Sequence, residues 1–234
     1  MDSDEFVYDE AYSERLGEVM DRLRDFYGVP ERESREDPVD SLITTILSQN
    51  TNDDNRDVAK ERLEERFDGP AEILAADVDE VAEAVKPAGL GPTKAERIRT
   101  FLRMLKEERG KFSLDHVAEM EPDDAEEYLQ RFPGVGPKTA AVTLCFVFGM
   151  PVFPVDTHVY RVSKRLGLIP EDVSRERAHK ILDREVPDDR KYEFHINLIK
   201  HGRRFCTARN PSCQEGPIGD LCEYCSCREG RDEA

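Results

Sequence analysis

Residues 132–139 read Phe-Pro-Gly-Val-Gly-Pro-Lys-Thr, and this short stretch decides the fold. Its glycine and proline residues predict a tight turn that joins two helices. Residues 138–148 are apolar almost all round, which predicts a helix buried at the centre of a domain. The two glycines, one residue apart, let neighbouring backbone N–H groups converge at the start of that helix, which suits a phosphate. The alternative is a plain turn with no ligand.

The rest of the chain is helical in its periodicity, and strand-like alternation is nearly absent. Residues 152–155 are expected to form a short extended linker, and Val58, Leu63 and Phe67 are expected to face inward on one helix. We therefore predict an all-α protein without internal repeats. Residues typical of helix starts precede the apolar patterns at Asp37-Pro38, Asn52, Gly91-Pro92, Pro122, Asp156, Ser174 and Asp189.

Length and composition allow a packed core and argue against a membrane protein. The chain has 234 residues, 38% of them hydrophobic, which is enough for one large or two small domains. Its apolar runs fall well short of the ~20 residues that a membrane span needs. The first thirty residues are acidic rather than basic and then apolar, so no secretory signal is expected.

The charge is strongly negative and unevenly spread. The 51 acidic residues against 34 basic ones give −17, and only 10 of the basic residues are lysines. Such a surface indicates a protein adapted to a very salty cytoplasm. Residues 1–80 carry −16, whereas residues 156–209 carry +4. Because phosphate binding usually needs a basic surface, any binding of a nucleic acid would have to depend on residues 156–209 and on backbone groups.

Lys138 lies in the first turn of the most apolar helix. Partial burial and the positive end of the helix dipole are both expected to disfavour its ammonium form there. A neutral amine is a nucleophile for a carbonyl-like carbon and forms a Schiff base with it. The alternative is a lysine that extends to solvent.

Asp156 follows the extended linker and is expected to cap the next helix. A capping aspartate accepts backbone N–H bonds and keeps its carboxylate in place. That carboxylate could serve Lys138 by stabilising a positive charge that develops on a sugar. The alternative is a purely structural cap.

Five of the six cysteines fall within residues 206–227, which indicates metal ligation in a reducing cytoplasm rather than a disulfide scaffold. Four sulfur atoms around one centre hold either zinc or an iron–sulfur cluster. The alternative is a set of leftover cysteines without a metal. The sixth cysteine, Cys145, is expected to be a small core residue. The clustered cysteines are Cys206, Cys213, Cys222, Cys225 and Cys227.

In combination these segments resemble the helix-hairpin-helix DNA glycosylases, and within them the endonuclease III family. The resemblance covers roughly residues 15–227. It rests on Leu-Ser-Gln-Asn-Thr-Asn at 47–52, the stretch at 132–140, Val-Asp-Thr-His-Val-Tyr-Arg at 155–161 and His-Gly-Arg-Arg-Phe-Cys at 201–206. It implies two helical domains on either side of a DNA-binding groove. The expected divisions are residues 37–150 with the hairpin, residues 1–36 with 151–205, and a cysteine loop at 206–227.

The resemblance also implies the chemistry of a bifunctional enzyme. A damaged base, with oxidised pyrimidines the expectation, is flipped out of double-stranded DNA. Lys138 attacks the sugar C1′, the base leaves, and the Schiff base permits β-elimination of the strand. Asp156 matches the catalytic aspartate, Gln49 the residue that fills the gap, and Gly134 and Gly136 the phosphate-binding turn.

Two other functions stay open at this point. One is a monofunctional glycosylase of the mismatch or uracil type, although such relatives generally lack the lysine. The other is a non-enzymatic helix-hairpin-helix module that only binds DNA. The resemblance further implies a monomer that acts on damaged bases or abasic sites in a prokaryotic cytoplasm, at the nucleoid and away from membranes.

The cysteines fit the family's [4Fe–4S] spacing, Cys-x6-Cys-x2-Cys-x5-Cys, at all positions but one. Cys206, Cys213 and Cys222 match, whereas the third position is Gly216. Cys225 is the expected replacement, because Cys222-x2-Cys225 is a chelating spacing, and Cys227 is the alternative. Such a cluster would be structural and would hold Arg209 as a phosphate contact.

Overall fold

The computed structural model describes residues 7–32, 37–222 and 224–225, and within these ranges the chain is helical without a strand. The prediction of an all-α protein is confirmed. The helices are α1 (Glu10–Tyr27), α2 (Pro38–Ser48), α3 (Asp53–Arg66), α4 (Pro70–Ala75), α5 (Val78–Ala84), α6 (Gly91–Arg109), α7 (Pro122–Gln130), α8 (Pro137–Thr143), α9 (Thr157–Arg165), α10 (Arg175–Glu185) and α11 (Lys191–Arg204).

Polar side chains fix several helix starts at the residues that the sequence indicated. The Asp37 carboxylate accepts from the Val39 N–H at 2.9 Å, just before Pro38. Asn52 Oδ1 accepts from the Asn55 N–H at 2.8 Å at the start of α3. These bonds satisfy N–H groups that have no partner inside their helices.

Two local predictions are wrong. Asp189 does not cap α11, because residues Asp188–Arg190 form a separate 3-10 turn and α11 begins at Lys191. Val58 is 40% exposed rather than inward-facing. The buried side of α3 runs through Ala59 and Leu63, four residues apart, and one residue shifts a side chain by about 100° around a helix.

The chain divides into two compact units. We name Ser34–Met150 the hairpin unit, and Met1–Glu33 together with Pro151–Ala234 the cysteine unit. In the hairpin unit, α8 continues into a π-helical turn, Leu144–Phe148, that ends at Gly149 with φ of 69°. Its expected burial is confirmed, since the buried residues of this segment are Thr139, Ala140, Ala141, Thr143, Leu144, Cys145, Val147 and Phe148.

The cysteine unit packs α1 against α9, α10 and α11 around one apolar core. A buried carboxylate joins two of these helices. Glu193 of α11, with a side chain only 6% exposed, binds Arg24 of α1 at 2.6 Å and Arg190 at 3.4 Å. Because a buried charge is costly without partners, this ion-pair group fixes how α1 lies against α11.

Candidate active site and cysteine centre

The turn that precedes α8 leaves backbone donors free. Gly134 has φ of 84°, a left-handed conformation that glycine adopts without strain. The first amide of α8 with a backbone partner is that of Ala140, which donates to the Gly136 carbonyl at 3.0 Å. In the described part of the chain, the amides of Lys138 and Thr139 have no backbone acceptor. Free amides at a helix start are the donors that anions bind.

Gly136 is not required by the protein itself. Its φ of −97° is open to any residue, and a Cβ built there meets no described atom within 4 Å. Glycine is also used where another molecule approaches a backbone closely. The position is therefore consistent with a ligand that comes within contact distance of this turn.

Lys138 is exposed, so the expectation of partial burial is wrong. The residue is the second of α8, and its neighbours Thr139, Ala140 and Ala141 take the buried positions. The side chain therefore lies on the solvent side of the helix start. Its amine is accessible to a ligand bound at the free amides described above.

Asp156 caps α9, as the sequence predicts. Its Oδ1 accepts from the His158 N–H at 2.8 Å and from the Val159 N–H at 2.7 Å. The residue is half-buried, and Oδ2 accepts no hydrogen bond from the residues that the structure describes. The two bonds to one oxygen fix the carboxylate plane and leave the other oxygen for a ligand.

The extended segment at 152–155 is buried and held by side chains of the cysteine unit. Asp183 accepts from the Phe153 N–H at 2.6 Å, and His195 Nδ1 lies 2.8 Å from the Pro154 carbonyl. Lys191 Nζ donates to the Pro151 carbonyl at 2.7 Å. Since this segment leads directly into Asp156, its contacts fix where the carboxylate lies within the unit.

Gln49 lies at the end of α2 and contacts the hairpin turn. Its Nε2 donates to the Gly134 carbonyl at 2.7 Å, and its Oε1 accepts from Arg97 Nη1 at 2.8 Å. The structure therefore brings together two residues that the sequence assigned to DNA binding. It adds Arg97, which the sequence analysis missed. Arg97 carried no motif signal, because its partners lie far away along the chain.

Lys94 of α6 is a second residue that sequence reasoning missed. It is 1% exposed, and its Nζ donates to the carbonyls of Leu47 and Ala88, each at 2.7 Å. Burial lowers the pKa of this amine. A signal was present in the sequence, because Lys94 lies four residues before Ile98 on the apolar side of α6.

Leu90 is an exposed hydrophobic residue in a strained conformation. It precedes α6, is 57% exposed and has φ of 52°. A non-glycine residue in the left-handed region is uncommon and costs free energy. Its carbonyl accepts from the Lys94 N–H at 3.0 Å, which joins the turn to α6. The side chain of the same lysine binds the Leu47 carbonyl near the end of α2.

Four cysteines of the cysteine unit line one cavity together with apolar residues such as Val162, Leu166 and Ile218. They are the four that the sequence selected, namely Cys206, Cys213, Cys222 and Cys225. Cys227 lies outside the described residues. Four cysteines around one mostly apolar cavity are the donor set that zinc or an iron–sulfur cluster needs, so the residues present fit such a group.

The state of these cysteines differs from the expected four thiols. Cys213 and Cys225 form a disulfide, whereas Cys206 and Cys222 are buried and take no part in that disulfide. Within the described ranges, no group of three or more His, Cys, Asp or Glu side chains is arranged to hold a metal ion. The physical reason is the pairing itself, because a sulfur bonded to another sulfur is not a thiolate ligand.

Arg165 of α9 connects Cys206 and Cys222 with the loop that follows Cys206. Its Nη1 donates to Cys206 Sγ at 3.3 Å and to the Thr207 carbonyl at 2.8 Å. The Cys222 thiol donates to the Arg165 carbonyl at 3.3 Å, and burial raises the pKa of that thiol. A guanidinium beside a thiolate would lower the cost of its negative charge.

Gly216, where the family pattern expects a cysteine, lies tightly against two side chains. A Cβ there would lie 3.0 Å from His201 Cε1 and 3.2 Å from Phe205 Cγ. Burial lowers the pKa of His201 to about 4, so the ring is neutral at pH 7. The side chains of His201 and Phe205 thus crowd the space that a cysteine at 216 would need.

Arg209 is exposed on the loop between Cys206 and Cys213. Its carbonyl accepts from Thr207 Oγ1 at 2.6 Å, and the next residue, Asn210, has φ of 49°. These features give the loop a defined turn at the basic residue.

The helical fold, the hairpin with free amides and the exposed lysine define a helix-hairpin-helix protein of DNA repair. Residues 43–188 match the family described as "HhH-GPD superfamily base excision DNA repair protein". The chain belongs to this superfamily and, within it, to the endonuclease III family.

The family assignment agrees with individual relatives. The chain is 36% identical to Endonuclease III of Escherichia coli (strain K12) over 208 residues, which are 88% of this chain and 94% of that protein. It is 35% identical to Endonuclease III of Thermotoga maritima over 204 residues, 87% and 91% of the two chains. A trapped Endonuclease III–DNA covalent intermediate matches with a TM-score of 0.79 and 29% identity, covering 93% of this chain and 98% of that one.

No helix in the described ranges is long and apolar enough to cross a membrane.

Proposed function

We propose that the chain is a bifunctional DNA glycosylase and AP lyase of base excision repair, acting on oxidised pyrimidines in double-stranded DNA through Lys138. The observation that carries the proposal is the exposed amine of Lys138 in the first turn of α8, beside free backbone amides. Those amides suit a DNA phosphate, and a lysine next to a bound phosphate is within reach of a sugar. The covalent DNA complex named for a structural relative supports this chemistry.

The reaction follows from the nucleophile. Once the damaged nucleotide is flipped out, the lone pair of Lys138 Nζ attacks C1′, and the bond from C1′ to the base breaks. The base leaves with the bonding electrons and takes a proton. Opening of the sugar gives a Schiff base, and loss of a C2′ proton then expels the 3′ phosphate. Hydrolysis of the Schiff base returns the free lysine.

Asp156 assists these steps as a fixed carboxylate. Positive charge develops on the sugar as the base departs, and a negative group stabilises it without having to move. The two backbone hydrogen bonds to Oδ1 keep the carboxylate oriented. Its role is therefore electrostatic, with Oδ2 as the oxygen open to substrate.

The DNA contacts are assigned to the turn, to Gln49 and to the basic loop. Gly134 and Gly136 present backbone amides to one phosphate, and Gln49 fills the space of the flipped nucleotide. Arg209 contacts a further phosphate from the loop between Cys206 and Cys213. This division needs few basic side chains, which suits a chain with a net charge of −17.

Cys206, Cys213, Cys222 and Cys225 would hold a [4Fe–4S] cluster once the disulfide is reduced. Such a cluster, when bound, supplies a structural cross-link for the loop that carries Arg209. The Arg165 guanidinium beside Cys206 offsets part of the cost that the apolar cavity wall imposes on four thiolates there. Zinc on the same four residues is the alternative outcome.

The lyase proposal is tested by borohydride trapping on duplexes that carry an oxidised pyrimidine or an abasic site. Wild type and the control Lys111→Gln, which removes another exposed lysine of the hairpin unit, should form a covalent adduct. Lys138→Gln should form none. Base removal without any adduct or nick in the wild type would identify a monofunctional glycosylase. Unchanged trapping in Lys138→Gln would overturn the assignment.

The cysteine assignment is tested separately by iron, sulfide and zinc analysis of protein purified without oxygen. Wild type and the control Cys145→Ser should contain iron and sulfide, whereas Cys225→Ser should lose most of both. Zinc in place of iron would support the alternative metal. Full iron in Cys225→Ser would rule out Cys225 as a ligand and favour Cys227.

A further inference from the structure

We propose that Arg97 is a positioning residue that holds the Gln49 amide in place before DNA binds. The inference rests on the proposed function, because it concerns the role assigned to Gln49. A chain of hydrogen bonds joins the end of α2, α6 and the hairpin turn within the hairpin unit.

Both ends of the Gln49 amide are used. Its Nε2 donates to the Gly134 carbonyl at 2.7 Å, and its Oε1 accepts from Arg97 Nη1 at 2.8 Å. An amide turned by half a rotation would place its NH2 against the guanidinium and its oxygen against a carbonyl. Neither of those pairs can form a hydrogen bond, so only one orientation is stable.

Arg97 also packs directly on the turn. A Cβ at Gly134 would lie 2.8 Å from Arg97 Cδ and 3.2 Å from its Nε, so the arginine stem occupies that space. Glycine at 134 thus adopts a φ of 84° without strain and also leaves room for the Arg97 side chain. Arg97 thereby fixes the turn and the glutamine relative to each other.

The backbone of the same region is held from the same helix. Lys94 lies one turn before Arg97 on α6, and its Nζ donates to the Leu47 carbonyl at 2.7 Å, two residues before Gln49. Thus α6 holds the end of α2 through Lys94 and holds the Gln49 amide through Arg97. A side chain ordered in advance loses less conformational entropy when it enters the DNA stack.

Loss of the Arg97 donor should slow the reaction only on duplex DNA, where the flipped nucleotide leaves a gap that Gln49 fills. Arg97→Met keeps the stem but removes the donor, so the Gln49 amide can rotate. We expect about a tenfold slower single-turnover excision from duplex DNA, the loss typical of one charge-assisted hydrogen bond. The rate at which Arg97→Met cleaves single-stranded abasic DNA should stay within about twofold of the wild-type rate. Single-stranded DNA has no opposite strand, so there is no gap in a duplex for Gln49 to fill.

The experiment compares Arg97→Met, Arg97→Lys and Gln49→Ala with the control Arg103→Met, an exposed arginine on the same helix. Excision, single-stranded lyase activity and the fluorescence of 2-aminopurine beside the lesion are measured, and thermal unfolding checks the fold. Arg97→Lys should recover part of the rate and of the fluorescence rise. In a double-mutant cycle, Arg97→Met should add little to Gln49→Ala.

The outcomes separate the inference from the proposed function. Wild type without excision or lyase activity would overturn the proposed function itself, whereas the cycle could still be measured as binding to a duplex with a stable abasic analogue. Fully additive losses in the cycle would overturn the positioning role. So would equal losses on single-stranded and duplex DNA together with a reduced salt dependence, which would make Arg97 a phosphate contact.

Discussion

Lys94 carries an amine into the core of the hairpin unit and satisfies two carbonyls there. These carbonyls, of Leu47 and Ala88, belong to the end of α2 and to the 3-10 turn Lys86–Ala88. The lysine therefore links the end of α2 to the end of the 3-10 turn by hydrogen bonds to both. Its burial makes the proton on Nζ easier to lose in the folded chain than in the unfolded one.

Replacing Lys94 with methionine should lower the free energy of unfolding by about 2–4 kcal/mol, because two buried carbonyls lose their donor. The sign of the pH dependence follows from the lowered pKa. Between the folded pKa and the ordinary value of 10.5, the unfolded chain binds more protons, so stability rises with pH. A neutral amine still donates to both carbonyls.

Urea unfolding of wild type and Lys94→Met, measured from neutral to about pH 10, tests this. The stability difference in favour of the wild type should widen as pH rises. Two curves that stay parallel over this range would show that the Lys94 proton is bound equally in both states.

At the scale of whole elements, α11 decides which cysteine pattern the loop can carry. His201 of α11 and Phe205, which directly follows that helix, lie close beside Gly216, and Cys225 lines the cavity instead. The helix and the loop therefore form one packed arrangement. A cysteine at 216 would therefore need His201 and Phe205 to give way.

Introducing Gly216→Cys into Cys225→Ser restores the family spacing but should not restore the iron content. The new Cβ would lie 3.0 Å from His201 Cε1, so the neighbouring side chains must give way, and we expect this overpacking to cost about 1–3 kcal/mol. Iron analysis and thermal unfolding measure both effects, with Gly216→Ala as the control for bulk alone. Wild-type iron with an unchanged melting temperature would contradict this account.

Local rules predicted most helix starts and little of the side-chain network. Asp37, Asn52, Asp156 and Ser174 cap their helices as expected, because a cap involves only neighbours along the chain. Lys138 is exposed rather than partly buried, because burial of a first-turn residue depends on what packs against the helix. The partners of Arg97 and the clearance at Gly216 arise only when distant segments meet, so sequence reasoning had no means to find them.

At the scale of the whole molecule, the net charge of −17 opposes compactness and also repels DNA. Dissolved salt screens both effects, with a screening length of about 3 Å in 1 M salt. The same salt weakens the contacts that phosphates make. The salt concentration of highest activity therefore depends on the balance between reduced repulsion and weakened phosphate contacts.

We expect the melting temperature and the nicking rate both to rise as KCl increases toward the molar range. The gain comes from reduced repulsion among the acidic residues, 25 of which lie in the first 80 positions. Thermal unfolding and initial nicking rates over a KCl series measure this. A nicking rate that declines steadily from the lowest salt would count against adaptation to a saline cell.

The empty space around Gly136 allows a substitution that tests DNA binding without disturbing the fold. A methyl group there would touch none of the described atoms, and the backbone conformation is one that alanine adopts. Gly136→Ala should therefore change the free energy of unfolding by no more than about 1 kcal/mol, the range of a changed helix cap. Its affinity for a duplex with an abasic analogue, measured by fluorescence anisotropy, should nevertheless fall. Unaltered affinity would mean that DNA does not contact this turn. A loss of affinity without a loss of stability would show that the glycine at 136 serves DNA binding rather than folding.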